Sequence, residues 1–587
     1  MPEYHILQKL ILNLADEVPD SLYHFGNYHR EEGALLVDAG GFLLFRSYFN
    51  VFSARQWKEL TGVEKILFQL SLQGEGELEI WKANATGNIS RVLTIPFSFS
   101  EQALLQTALL CLNDLEEVCW VCVRSGDVPV KVFGGAVLTD ILPSRIPKLA
   151  LCFCTFKREK EIRRNVQDLL SAIEDPASPL YEAADIFVAD NGHTLAEEDF
   201  GCNNRVFLFR NPNFGGSAGF ARCMIESAIH RKGRYSHVIL MDDDAVIRSY
   251  VMERTFSLLS FLRPDYQTYM LGGALFSLQE PWMQAENGGE FRNRGTLLNR
   301  KRLDMRVFNN ILRNMQPQPH IHVNYNAWFF ACYPAELISE KSLPLPLFLH
   351  GDDIEYSLRN HLEIIRMNGI CVWHPKPASI RRPYMAYYDH RNFSIIEALC
   401  NPEMKAVKFL TTEFRKIFKM VTELRYVEAL YAIRGIHDFL NGPELLMAQD
   451  HEALNRDLMK WMDFEPCQIA NIESCVFSDP LSAAKPRLNK TLDFLLPARK
   501  EQRVYDINTT AFFAVNYAGV KDICFVDRAS GKGVVLHKND PLRSTVTKEW
   551  WKLARRIPAD YPAASTAWRA YSARLESLSF WKEYLKI

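Results

Sequence analysis

The sequence has few features that would place the chain in a membrane or on nucleic acid. It contains no window of about 18 or more consecutive apolar residues, so we expect no transmembrane helix. The N-terminus, Met1–His5, carries neither a basic nor an apolar stretch, and we expect no signal peptide. A formal net charge of −2 argues against a surface that generally binds nucleic acid. These absences predict a cytoplasmic protein without a nucleic-acid partner.

The cysteines lack the spacing of a structural metal site. The 13 cysteines form an odd, scattered set without paired Cys-x-x-Cys blocks at zinc-ribbon spacing. Cys119 with Cys122, and Cys152 with Cys154, lie in apolar runs where buried free thiols are expected. We therefore infer a reducing compartment.

Length and patterning predict a multidomain α/β protein. A chain of 587 residues, 48% of them hydrophobic, is too long for one ordinary core. Short strands with period-2 alternation predict an N-terminal β-sandwich over residues 1–145, which would either bind carbohydrate or brace its neighbour. Two prolines in Leu142–Pro147 mark its end. Alternating strands and helices predict a nucleotide-binding α/β domain over 146–400, and helical spacing predicts a mainly helical domain over 401–587.

A glycine-rich turn in the central domain is a candidate phosphate site. Strands are predicted at Lys148–Thr155, Ile186–Ala189 and Arg205–Phe209, and a helix at Glu159–Glu174. Residues 211–220 then include Gly215 and Gly216 and lead into a helix predicted at Ala221–Arg231. Backbone N–H groups in such a turn can approach a phosphate. The alternative is a tight turn that only permits close packing.

Three consecutive carboxylates end the next apolar strand. In Val238–Ile247, strand alternation should point Asp242 and Asp244 one way and Asp243 the other. Neighbouring carboxylates repel unless a cation shares the site, and oxygen ligands suit a hard divalent metal. The segment therefore predicts a metal site at the end of a strand, where open α/β sheets place ligands. A solvated acidic turn is the alternative.

Two further segments add candidate site residues. Asp352 and Asp353 follow the apolar run Leu345–Leu349, and Glu355 is placed to cap the helix that begins there. His374 ends a short strand, and one imidazole beside carboxylates completes a common set of ligands for a divalent metal.

Together these residues resemble the family 2 glycosyltransferases of the GT-A fold, and more closely the polymerising galactofuranosyltransferases of mycobacterial cell-wall galactan. The resemblance extends to Ser47–Phe52 with Trp57 in the N-terminal domain and to His437–Pro443 in the C-terminal one. It implies that Asp242, Asp244 and His374 hold Mn²⁺ or Mg²⁺ and that Asp353, beside Asp352, is the catalytic base. The residues it implies for contact with the uridine diphosphate are Thr155, Arg158, Asp190 and Asn213. Gly215, Gly216 and Asp243 are our further candidates for binding the substrate.

One departure concerns the acceptor side. The family has Trp directly before its Asp-Asp pair, where this chain has Gly351. Trp328, within an aromatic run, is our candidate for a sugar-stacking platform in its place, with core packing as the alternative.

The resemblance also implies partners: a polysaccharide or lipid-linked glycan acceptor, a second copy of the chain in a homo-oligomer, and peripheral contact with the inner face of the plasma membrane. Lys548–Arg556, with adjacent tryptophans and four basic residues, and the amphipathic Ser565–Ile587 are the candidate membrane segments. Packing within the helical domain or an oligomer interface is the alternative.

The leading hypothesis is an inverting, metal-dependent transferase that moves galactofuranose from UDP-galactofuranose to a growing bacterial cell-surface polysaccharide. A divalent cation would stabilise the leaving diphosphate, and one base on the opposite face of the sugar means inversion. A rival within the fold is transfer of rhamnose or galactopyranose. A metal-dependent phosphoesterase and a noncatalytic glycan-binding scaffold are rivals of other classes.

Overall fold

The computed structural model describes residues 3–14, 18–375, 382–461, 464–469, 476–478, 499–506, 520–528 and 531–587. The chain forms two compact units. The first comprises Met1–Leu343, Tyr356–Pro375 and Trp581–Ile587, and the second comprises Pro344–Glu355 and Lys376–Phe580. The predicted first domain and most of the predicted second one therefore lie within a single unit.

The N-terminal part of the first unit is rich in β-structure, as predicted. Its elements are β1 His5–Lys9, β2 Phe25–Gly26, β3 Tyr28–Glu31, β4 Ala34–Val37, β5 Phe42–Leu44, α1 Ala54–Leu60, β6 Lys65–Ala83, β7 Ile89–Gln106, β8 Leu110–Cys111, β9 Val118–Ser125 and β10 Val130–Thr139. They form a ten-stranded sheet whose main path runs β2-β5-β9-β6-β10-β4-β3. All of its pairings are antiparallel, and most of them join strands that are not successive in the chain.

The Ser47–Phe52 segment packs against the α/β part of the same unit. The Phe49 ring lies 5.4 Å from the Tyr250 ring and 5.8 Å from the Trp373 ring. Nη2 of Arg254 donates a hydrogen bond of 2.5 Å to the carbonyl of Phe49. This segment therefore supports, through Trp373, the strand that ends in His374.

The α/β part is built on a seven-stranded sheet in the order β13-β12-β11-β14-β21-β15-β22. Its strands are β11 Leu149–Thr155, β12 Ala184–Asp190, β13 Val206–Arg210, β14 His237–Asp242, β15 Met270–Gly272, β21 Ala331–Pro334 and β22 Ile364–Ile365. The first four pair in parallel, with Thr155 opposite Asp190 and Cys154 opposite Asp242. Their carboxyl ends therefore lie together along one edge, as the predicted βαβ order requires.

Smaller sheets complete this part: β20-β17-β16-β23 and β18-β19. Their strands are β16 Ala274–Ser277, β17 Met283–Glu286, β18 Gly289–Arg292, β19 Gly295–Leu298, β20 Leu303–Asp304 and β23 Cys371–His374. A backbone bridge joins Val246 to Trp373 through two hydrogen bonds, of 2.6 and 3.1 Å. That bridge brings the end of β23 to the segment that follows β14.

The helices associated with these sheets are α2 Glu159–Ile173, α3 Gly215–Met224, α4 Ser249–Phe261, α5 Phe308–Met315 and α6 Asp352–Arg359. The helix predicted from Glu159 is confirmed, but the one predicted from Ala221 begins six residues earlier, at Gly215. Gly215 and Gly216 therefore lie in the first turn of the helix and not in a loop before it. Gly219, in the same helix, packs so closely on β11 that a Cβ there would lie 2.2 Å from Sγ of Cys154.

Most of the second unit is helical, as predicted for the C-terminal third. Its helices are α7 Met385–Cys400, α8 Ala406–Thr422, α9 Tyr426–Leu440, α10 Pro443–Ala448, α11 His451–Leu458 and α12 Asp540–Leu575, and α13 Leu578–Leu585 ends the chain. Asn441 and Gly442 separate α9 from α10, which begins at Pro443. A four-stranded sheet, not predicted, interrupts the helices: β24 Phe464–Gln468, β25 Arg499–Asp506, β26 Val520–Val526 and β27 Lys532–His537.

Candidate active site

The structure brings together the three predicted metal ligands. Asp242 ends β14, Asp244 follows two residues later, and His374 ends β23. One ligand atom from each of these residues lies within 4.8 Å of the other two. The Asp243 carboxylate instead contacts Thr155, in keeping with the predicted alternation. Two carboxylates and one imidazole thus converge at the carboxyl end of the parallel strands.

His374 and Asp244 form an ion pair within this cluster. Nε2 of His374 lies 3.0 Å from Oδ1 of Asp244, and Nδ1 lies 2.7 Å from the carbonyl oxygen of Pro375. Burial alone would lower the pKa of His374, but the hydrogen bond and charge of Asp244 raise it to about 9. Burial would raise the pKa of Asp244, and its contacts with His374 and Arg158 outweigh burial and lower it.

Thr155 and Arg158 both contact the Asp243 carboxylate. The Thr155 hydroxyl donates a hydrogen bond of 2.7 Å to the Asp243 carboxylate, and Nη1 of Arg158 donates one of 3.1 Å. Arg158 also pairs with Asp244, so it joins the two carboxylates. Burial raises the pKa of Asp243. The Arg158 side chain is 46% exposed, which leaves part of its guanidinium facing solvent.

Asp190 is buried and shapes the loop after β12. Its carboxylate accepts hydrogen bonds from the backbone N–H groups of Gly192, Thr194 and Leu195, at 2.7–2.9 Å. Asp190 therefore supports the loop. Its contact with the nucleotide stays a prediction.

The loop before α3 is held by two asparagines that the sequence did not single out. Nδ2 of Asn211 donates to Oδ1 of Asn191, and Nδ2 of Asn191 donates to the carbonyl of Gly215, at 2.8 and 3.0 Å. Gly215 has φ +81°, a backbone conformation that glycine adopts without strain. Asn213 lies within this loop, half-buried, and Gly216 lies in the first turn of α3.

Asp352 and Asp353 begin α6, and the part of the chain that carries them belongs to the second unit. The preceding backbone is left-handed at Phe348, His350 and Gly351, with φ of 70°, 63° and 87°. At Gly351 a Cβ would lie 3.1 Å from Cδ1 of Ile396. A larger residue there, including the tryptophan of the resembled family, would need both a strained φ and a shift of Ile396.

Trp328 lies in the core, as the alternative interpretation of its aromatic run expected. It is 4% exposed, and its Nε1 donates a hydrogen bond of 2.8 Å to the hydroxyl of Tyr333. The rings of Phe220 and Tyr356 lie 5.1 and 6.1 Å away. Such packing leaves no exposed face for a sugar, which contradicts the proposed stacking platform.

Glu286 is a site candidate that sequence reasoning missed. It ends β17, opposite Leu275 of β16, and the other neighbour of β16 is the strand that carries His374. Burial raises the pKa of Glu286 to about 7, although the charges of Lys301 and His374 act to lower it. No local pattern marks this lone glutamate, because the pairing of β17 with β16 is what places it near His374.

Comparison with known proteins gives sequence matches of two kinds. Residues 26–123 match the family described as "Galactofuranosyltransferase 2 N-terminal". The galactofuranosyltransferase GlfT2 of Mycobacterium tuberculosis is 24% identical over 451 residues, 72% of this chain and 68% of that protein. GlfT2 of Mycolicibacterium smegmatis is 23% identical over 69% of this chain and 65% of its own length.

Solved structures give weaker similarity. The mannosyltransferase PcManGT from Pyrobaculum calidifontis, in complex with GDP-mannose and Mn²⁺, covers 55% of this chain and 84% of its own at a TM-score of 0.29 and 11% identity. Glucosyl-3-phosphoglycerate synthase from M. tuberculosis, with Mn²⁺ and UDP, covers 43% and 80% at a TM-score of 0.29 and 12% identity. The sequence matches confirm the resemblance predicted from the residues: this chain is similar to the galactofuranosyltransferases GlfT2.

Proposed function

We propose that the chain transfers galactofuranose from UDP-galactofuranose to a growing cell-surface polysaccharide, with a GT-A fold in its α/β part. The observation that carries the proposal is the convergence of Asp242, Asp244 and His374 at the edge where the parallel strands end. Open α/β sheets bind their ligands at such an edge. Similarity to the two GlfT2 proteins supports the choice of sugar.

The three residues fit a divalent cation. Carboxylate oxygens with one imidazole nitrogen suit Mn²⁺ or Mg²⁺. The contact of Nδ1 of His374 with the Pro375 carbonyl fixes the ring so that Nε2 faces Asp244, where a metal would bind it by displacing its proton. When bound, the cation would stabilise negative charge on the departing diphosphate as a Lewis acid.

The remaining roles follow from charge and hydrogen bonding. Arg158, through its contacts with Asp243 and Asp244, orients the acidic turn and supplies a positive charge beside it. Asp353 takes the proton of the acceptor hydroxyl, the role of a general base. Because a single base acts from the face opposite the leaving group, the anomeric configuration is inverted.

The two candidate membrane segments differ in how far their aromatic side chains are exposed to solvent. Trp551 is 56% exposed on α12, within Lys548–Arg556. By contrast Trp568, Phe580 and Trp581 of the second candidate are all buried, so Ser565–Ile587 serves packing. Among the described residues no helix is both long and apolar enough to span a bilayer. We propose peripheral contact with anionic lipid through Lys548–Arg556, by a chain that acts as a homo-oligomer.

A panel of nucleotide sugars tests the function. The chain with Mn²⁺ is incubated with UDP-galactofuranose, UDP-galactopyranose or dTDP-rhamnose, each with and without a galactan oligosaccharide. We expect UDP release from UDP-galactofuranose that depends on the acceptor and yields a longer glycan. Consumption of a donor without acceptor would instead indicate a phosphoesterase. Transfer from another donor would show that the proposed donor sugar is wrong. Binding of the glycan with no consumption of any donor would indicate a noncatalytic scaffold.

Vesicle sedimentation tests the membrane contact. The chain is mixed at low salt with vesicles of anionic or neutral lipid, and the same is done with Lys548, Lys552, Arg555 and Arg556 changed to Ser. We expect binding to anionic vesicles that weakens with salt and with the four changes. The control changes Arg456 and Lys460, exposed basic residues on another part of the second unit, to Ser. Equal binding by both variants would contradict the assignment.

A further inference from the structure

The segment before Asp352 and Asp353 adopts a backbone that its own residues do not favour. Phe348 and His350 have φ of 70° and 63°, and neither is glycine. Left-handed φ is unfavourable for residues with a side chain, so such a segment persists only where its surroundings hold it. Neighbouring groups must therefore supply that support.

Helix α7 supplies it through side chains. Nδ2 of Asn392 lies 3.2 Å from the carbonyl oxygen of Leu347, 2.8 Å from that of Leu349 and 2.7 Å from that of His350. Nη2 of Arg391 donates a hydrogen bond of 2.8 Å to the Leu347 carbonyl as well. One amide group thus satisfies the carbonyls on both sides of the left-handed turn.

The orientation of that amide is itself fixed. Nε of Arg391 donates a hydrogen bond of 2.9 Å to Oδ1 of Asn392, which leaves Nδ2 to face the loop. Both side chains are almost fully buried. On the same helix, the Asp389 carboxylate contacts Nδ1 of His350 at 3.0 Å.

The loop is also closed onto α6. The N–H of Leu345 lies 3.4 Å from the Glu355 carboxylate, and the N–H of Glu355 donates to the Gly351 carbonyl at 2.8 Å. The backbone of Asp352 and Asp353 therefore lies between a turn held by α7 and a first helical turn closed by Glu355. A shift of the turn would be passed directly to the two aspartates.

We propose that Asn392, oriented by Arg391, is a positioning residue that holds the Asp353 carboxylate in place for proton transfer. The inference rests on the proposed function, in which Asp353 is the base. Asn392 acts through the backbone of the loop, whose carbonyls it binds, and not on the substrate itself. Its removal should therefore slow the chemical step and leave donor binding unchanged.

The test measures kinetics and nucleotide binding on the full chain. For Asn392→Ala we expect kcat to fall by roughly 10–100-fold, the size expected for a misplaced catalytic group. The KM for UDP-galactofuranose and the calorimetric affinity for UDP with Mn²⁺ should stay within about two-fold of the unmodified chain. The matched control is Asn401→Ala, since the Asn401 amide donates to Glu397, one turn earlier and away from the loop; its kcat should not change.

A second change distinguishes positioning from general damage. Asp389→Asn weakens the contact of α7 with His350 but leaves the Asn392 amide in place. If Asn392→Ala does not fold, Asp389→Asn replaces it, because its contact with His350 is partly exposed. We then expect a several-fold lower kcat with UDP affinity retained.

The outcomes separate this inference from the proposed function. An unmodified chain that transfers no galactofuranose would overturn the proposed function itself. An active unmodified chain whose kcat is unaffected by the changes at Asn392 or Asp389 would overturn the positioning role alone. A fall in UDP affinity equal to the fall in kcat would also overturn it, because the loss would then not be specific to the chemical step.

Discussion

The two acidic segments predicted from the sequence are held in place in different ways. Asp242–Asp244 follows a regular parallel strand, and its position comes from backbone pairing with β11. Asp352 and Asp353 follow a left-handed turn whose carbonyls are held by Asn392, a residue some forty positions away in the sequence. The first segment is thus placed by a regular sheet, and the second by a few specific side chains. The first should tolerate changes in its surroundings that the second does not.

The largest expected effect comes from the strand-end segment. Asp244→Ala removes a carboxylate that contacts both His374 and Arg158, so transfer should be abolished and donor affinity should fall. EDTA should have the same effect on the unmodified chain, and added Mn²⁺ should restore activity there but not in the variant. Full activity in EDTA would show that no metal is needed.

The next effect separates the two segments by role. Asp353→Asn keeps size and hydrogen bonding but cannot accept a proton, so kcat should fall by roughly 10²–10⁴-fold, the usual contribution of a general base. UDP affinity should be almost unchanged. Asp352→Asn is the matched variant, and a larger loss there than at Asp353 would move the base to Asp352.

A smaller effect tests the turn before the aspartates. Gly351→Ala places a Cβ at φ 87° and 3.1 Å from Ile396, which should cost about 1–2 kcal/mol on the scale of left-handed strain. We expect a lower kcat at unchanged Mn²⁺ affinity. Gly62→Ala is the control, because a Cβ at Gly62 would meet open space. Equal kcat for both variants would contradict the prediction that the turn at Gly351 affects the position of Asp352 and Asp353.

The smallest effect concerns charge near the metal ligands. The pKa of Glu286, raised by burial to about 7, means that this group gains its negative charge as pH rises through 7. Negative charge near His374 favours a cation, so Mn²⁺ affinity should rise with pH more steeply in the unmodified chain than in Glu286→Gln. The two should agree below about pH 6 and differ a few-fold near pH 8. If Mn²⁺ affinity depends on pH in the same way in both proteins, Glu286 does not influence the metal site.

The same contrast explains what the sequence could predict. Apolar strands that run into polar residues predicted the α/β sheet and the three side chains that meet at its edge, because strand alternation and the carboxyl-end rule are local. The support of His374 by Phe49, the position of Glu286 and the amide of Asn392 depend on contacts between distant segments, for which no local pattern exists. The prediction for Trp328 was wrong for a related reason: an aromatic run has the same composition whether it faces solvent or, as here, the core.

The most direct test of the metal assignment is to measure Mn²⁺ binding to the full chain by electron paramagnetic resonance, with and without UDP. We predict one bound Mn²⁺ per chain that tightens with UDP, is lost in Asp244→Ala and His374→Ala, and is retained in Asp353→Asn. Mn²⁺ binding that survives both ligand changes, or that disappears in Asp353→Asn, would contradict the assignment of the metal to the end of the parallel strands.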